Sequence, residues 1–129
     1  MNTKMKPEIK EPWIAELRSG NIRQGYGVLH DARTDAMCCL GVLCHLAKQA
    51  GVSVDDVRTD TQYVLYDNCS GYLPESVQEW AGLTSSNPTV LEDELLTRAT
   101  ATLGDGTLAK MNDDGFTFDQ IADLIEAFL

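Results

Sequence analysis

Three of the four cysteines, Cys38, Cys39 and Cys44, fall within the seven residues CCLGVLC. That spacing admits metal ligation, a dithiol redox pair, a thiolate nucleophile, or packing. On a helix successive residues turn by about 100°, so Cys39 and Cys44 stand about 140° apart and Cys38 and Cys44 about 120°. Neither pair shares a face. His45 shares a side with Cys38, but the intervening rise of roughly 10 Å is too long for two ligands of one zinc ion. A nucleophile would need Cys38 or Cys39 beside a base or at a helix N-terminus, and the two histidines, His30 and His45, form no Cys–His pattern. Packing is the favoured reading, because free cysteine is among the most buried residue types. No metal ligand, cofactor or catalytic residue is assigned. Gly41, inside the same stretch, is expected to let another element approach closely.

The segment from Arg18 to Gly27 carries different chemistry. Arg18, Arg23, Gln24, Gly25, Tyr26 and Gly27 put two guanidinium groups, backbone N–H donors and an aromatic ring in one short, glycine-rich stretch. Such parts suit a phosphate or nucleotide ligand, and these six residues are the candidate ligand site. The alternative is a solvated loop with Tyr26 packed on the core. GYG alone is too short for a dinucleotide fingerprint, since His30 stands where the third glycine belongs. NDDG, Asn112 to Gly115, fails as a calcium loop: with Gly115 at the sixth position, Lys110 occupies the first and Ile121 the twelfth. It reads as a polar turn.

The elements that must hold these groups follow from periodicity and end signals. A first helix is expected over Glu11 to Ser19, with Pro12 in its first turn and Gly20 as its stop. A central helix is expected from about Ala36 to Ala50, capped by Thr34 or Asp35. TQYVLYDNCSGYLP reads as one or two short strands around the turn DNCSG. Pro74 opens a helix ending at Gly82. Further helices are expected around Leu91 to Ala99 and, as a short helix or strand, at Leu108 to Met111. The last helix starts from a capping box, Thr117 with Gln120. The fold class is mainly α: one compact domain over residues 1–129 with about five helices and a small central β-hairpin, α+β being the alternative, and residues 1–8 a flexible terminus. The expected core is Trp13, Cys38, Cys39, Leu40, Leu43, Cys44, Trp80, Ile121, Leu124 and Ile125.

The formal charge of −10 is uneven: residues 1–58 sum to +1 and residues 59–129 to −11. A dipolar molecule can present its two ends to different partners. Generic duplex nucleic-acid binding is disfavoured, because no excess of Lys and Arg is present to neutralise phosphates. No apolar run approaches the roughly 18 residues of a membrane span, and the first residues lack a signal-peptide core. A cytoplasmic protein with reduced thiols and no membrane partner is expected.

Four blocks, WIAELRSGNIRQGYGVL, CCLGVLCHLA, YLPESVQEWAGL and LAKMNDDGFTFDQIADLIE, resemble a family of small, functionally uncharacterised bacteriophage and prophage proteins. The resemblance covers most of the chain. It implies a viral protein acting in the bacterial cytoplasm and carries no catalytic residue, ligand or mechanism. The leading expectation is an accessory protein that binds a host component, such as part of a defence system. Sequestration of a small nucleotide signal, held between subunits of a homo-oligomer, is the alternative. A cysteine-dependent enzyme is the weaker third reading.

Overall fold

A computed structural model describes residues 5–58, 63–88 and 107–129. The described residues form five helices and one two-stranded antiparallel sheet: α1 (Pro7–Ser19), α2 (Cys39–Gln49), β1 (Asp56–Arg58), β2 (Val64–Tyr66), α3 (Glu75–Ala81), α4 (Leu108–Asp113) and α5 (Phe118–Phe128). This is the mainly α domain with a small hairpin that the sequence suggests. The helix expected over Leu91 to Ala99 lies outside the described residues.

The central helix is α2. Cys39, Leu40, Gly41, Val42, Leu43 and Cys44 are buried without a break, so the first half of α2 is enclosed on every side. Helices α1, α3 and α4 pack around it, and α5 packs on α1 and α4. Trp13 of α1 is fully buried and its indole N–H donates to the Cys39 carbonyl at 3.0 Å, fixing α1 against the start of α2. Gly41 has a stricter duty. A Cβ there would sit 1.8 Å from the Leu29 carbonyl oxygen, so the chain from the preceding loop crosses α2 in contact with its backbone.

Several boundaries differ from the sequence reading. Helix α1 begins at Pro7, four residues before Glu11, and Pro12 lies inside it. Pro7 takes the first-turn position that Pro12 was expected to fill, and α1 tolerates the backbone hydrogen bond that Pro12 cannot donate. A free terminus through residue 8 is corrected from Met5 onward: Met5 is buried and Lys6 N–H bonds the Ala81 carbonyl at 2.9 Å. Helix α2 starts at Cys39, not Ala36, and neither Thr34 nor Asp35 caps it. Its first N–H, from Cys39, is accepted by the side chain of Asn112 at 3.2 Å.

In the hairpin, β2 matches the expected YVLY strand, but its partner is upstream, with Asp56 opposite Tyr66 and Arg58 opposite Val64. The DNCSG segment makes a separate tight turn. Asp67 and Asn68 both have positive φ, and Tyr66 and Cys69 exchange backbone hydrogen bonds across them, as two-residue hairpin loops do. Helix α3 runs from Pro74 as N-cap to Gly82 at φ 77°, as expected. At α5 the capping box forms in full: Gln120 N–H donates to Thr117 Oγ1 at 3.2 Å and Thr117 N–H to Gln120 Oε1 at 2.9 Å. Of the expected core residues, Trp80 and Leu124 are half-buried at its margin, and the other eight are buried.

Candidate functional site

Local packing disperses the six residues of the Arg18 to Gly27 segment. Arg18, on α1, reaches across to α5, where it bonds Asp123 at 2.5 Å and Glu126 at 3.0 Å. These carboxylates raise its guanidinium pKa, with the hydrogen bond that Arg18 donates to Asp123 the largest cause. Gln24 turns inward and donates to Asn112 Oδ1 at 3.0 Å and to the Phe116 carbonyl at 2.7 Å. Gly25 N–H goes to the Met37 carbonyl at 2.7 Å and Gly27 N–H to Asp113 Oδ1 at 2.8 Å. The two glycine N–H groups therefore already have acceptors within the fold. Tyr26 projects outward, 58% exposed, instead of packing on the core.

Asn112 and Asp113 of NDDG thus serve as a clamp. Asn112 is fully buried; its Oδ1 accepts from Gln24 and Cys39 N–H while its Nδ2 donates to the Gly25 carbonyl at 2.8 Å. The glycine-rich segment is fastened to α4 by three hydrogen bonds, Gln24 and the Gly25 carbonyl with Asn112 and Gly27 N–H with Asp113, and further to Met37 and Phe116. Met37 adds backbone bridges to Gln24 and His30.

Arg23 alone of the six lines a cleft of about 590 Å³ between this loop, the C-terminal half of α2 and the hairpin. Both histidines line it, with Lys48, Asp35, Asp56 and Tyr66. His30 is buried, with Nε2 at 3.0 Å from Asp35 Oδ1 and Nδ1 at 2.9 Å from the Tyr66 hydroxyl. An ionised carboxylate only accepts, so in the neutral ring Nε2 carries the proton and Nδ1 accepts from the Tyr66 O–H. Asp35 holds this position at φ 59°, a left-handed conformation that aspartate tolerates better than most residues. Lys48 donates to the Val54 carbonyl at 2.6 Å and pairs with Asp56 at 3.1 Å. Arg23 and His45 have no side-chain partner among the described residues.

A second groove, about 620 Å³, lies between α1 and α5. Its cationic groups are already engaged, Arg18 with Asp123 and Glu126, and Lys10 with the Glu126 carbonyl at 3.1 Å. The cleft, with its two unpaired nitrogen groups, is the better candidate site. No single sequence motif marks it, since its residues come from five separated stretches of chain.

The cysteines do not face it. Cys38, Cys39 and Cys44 are buried and Cys69 is half-buried, all as free thiols. Burial pushes the Cys38 thiol up to about 11 and raises Cys39 and Cys44 well above the ordinary value. A thiol held in its protonated form is a poor nucleophile and a poor metal ligand. Among the described residues no three His, Cys, Asp or Glu side chains converge as a metal set would, and no helix is long and apolar enough to cross a membrane.

No curated protein and no solved structure matches the chain. A family model described as Domain of unknown function (DUF8296) matches residues 5–129, nearly the whole sequence, and the chain therefore belongs to that family.

Proposed function

We propose that this is a bacteriophage or prophage accessory protein that works in the bacterial cytoplasm by binding a host component, a part of a defence system being the intended target. The observation that carries the reading is the exposure of two large aromatic side chains on segments that the fold ties together. Tyr26 is 58% exposed and Tyr72 54%, and Leu29 N–H bonds the Ser70 carbonyl at 2.6 Å between them in sequence. Exposed tyrosines on a rigid support suit a binding face, because they contribute large contact area at low entropic cost. The clustered thiols are interred and kept protonated, which counts against the cysteine-dependent reading. The resemblance of the four sequence blocks to phage proteins is what supports the setting.

The test is recovery of a host component from infected bacteria by tagged wild-type protein and by a Tyr26→Ser/Tyr72→Ser variant. A component held by the wild type and released by the variant is the expected result, together with plaque formation on a defended host that depends on the same two residues. Equal recovery by both proteins, or unaltered plaque formation with and without the wild-type chain, rejects the proposal.

A further inference from the structure

The polar cleft holds features that a protein-binding face does not explain. Arg23 is exposed and His45 half-buried, and each lines the cleft without a side-chain partner among the described residues. In a chain of net charge −10 with ten Lys and Arg and two His, this one cleft takes two of the former and both of the latter. The two carboxylates that line the cleft are each paired through one oxygen with another group, Asp35 Oδ1 with His30 and Asp56 Oδ1 with Lys48. Ile22 and Met37 add apolar wall, with Met37 buried beneath. The volume, about 590 Å³, falls in the range of small-molecule sites.

We infer that this cleft binds a nucleoside phosphate, with Arg23 and His45 on the phosphate and the Asp35 and Asp56 carboxylates accepting from sugar hydroxyls. The mixture of groups selects the class. A guanidinium and an imidazole recognise a phosphate through charge-assisted hydrogen bonds. Inorganic phosphate or a dicarboxylate, however, would meet Asp35 and Asp56 as like charges. A ligand joining an anion to a diol and a flat apolar base meets the cations, the carboxylates and the Ile22–Met37 wall together. His30 does not contact the ligand in this arrangement. It is a positioning residue, held between Tyr66 and Asp35, and it sets where the Asp35 carboxylate stands.

The inference is independent of the host-partner proposal, because it concerns different residues and a different measurement. Purified full-length protein is titrated calorimetrically with AMP, GMP, CMP, UMP, a cyclic dinucleotide and inorganic phosphate. The proposal expects at least one nucleotide to bind more tightly than phosphate by tenfold or more. Removing one hydrogen bond to a charged phosphate should weaken binding by about tenfold or more, so Arg23→Gln and His45→Gln each lose that much while keeping the wild-type melting temperature without ligand. Arg33→Gln, on the same loop but outside the cleft, keeps wild-type affinity. Binding by none of the nucleotides overturns the inference. So does phosphate binding as tightly as the nucleotides, or an equal loss in Arg33→Gln, which would mark general electrostatic attraction.

Discussion

Asn112 is a polar side chain with no exposure to solvent, so its atoms must find partners within the fold. They find three partners on two separate pieces of chain: Gln24 and the neighbouring Gly25 carbonyl in the loop, and the first N–H of α2. Truncation would orphan the Gly25 carbonyl and the Cys39 N–H and leave Gln24 with only its bond to the Phe116 carbonyl. Each buried group left unpaired costs about 1–3 kcal/mol, so Asn112→Ala should lower stability by about 3 kcal/mol or more in urea unfolding. Gln24→Ala, which removes one partner from the edge of the network, should cost less than half as much. Equal losses would mean that Asn112 only fills space. The same residue shows a limit of reading motifs locally. NDDG resembles a turn with spare carboxylates, and nothing near it in sequence says that its asparagine caps a helix 73 residues away. His30 is similar: its partners, Asp35 and Tyr66, gain meaning only once the hairpin docks on the loop through the bond from Val64 N–H to the His30 carbonyl at 3.0 Å.

Element by element, what was legible depended on whether the deciding signal lies inside the element. Gly20 and Gly82 end their helices because both sit at positive φ, and Thr117 with Gln120 begins α5 through reciprocal bonds three residues apart. These are local, and the sequence shows them. The start of α2 and the partner of β2 are set at long range, so patterning placed the first three residues early and missed Asp56–Arg58, whose polar composition gives no strand signal. The sequence pointed to the segment Arg18 to Gly27 as a unit, yet helix packing drew Arg18 to α5 and left only Arg23 of the six at the polar cleft. The α5 cap allows a direct measurement. Thr117→Ala removes the acceptor for Gln120 N–H and should cost about 1 kcal/mol, seen as a lower urea midpoint with unchanged slope. Thr117→Ser should restore most of it, and failure to do so would show that the methyl group, not the hydroxyl, is what matters.

For the molecule as a whole, the uneven charge is partly answered internally. The acidic last helix is held to the N-terminal helix by Arg18 and by Lys10, so the two halves of the sequence meet along α1 and α5. These bonds are exposed and screened by salt, and they contribute little to the net stability. The larger pH-dependent term sits in the core. Cys38, Cys39 and Cys44 have folded pKa values above the ordinary 9.0, that of Cys38 at about 11, because burial disfavours the thiolate. Below about pH 9 the thiols are protonated in both folded and unfolded chains, and the contribution is fully present. Above it the unfolded chain releases protons that the folded chain retains, so stability must fall with rising pH at about 1.4 kcal/mol per pH unit for each thiol. For Cys38 that loss runs until its own folded pKa near 11 is passed. Urea unfolding under reducing conditions at pH 8, 9, 10 and 10.5 should therefore show a steepening decline. Cys38→Ala should shift the whole curve down and flatten its alkaline limb, since one titrating thiol has been removed. An alkaline limb as steep in Cys38→Ala as in the wild type would assign the decline to lysine and tyrosine titration, and would return the thiols to a purely steric role.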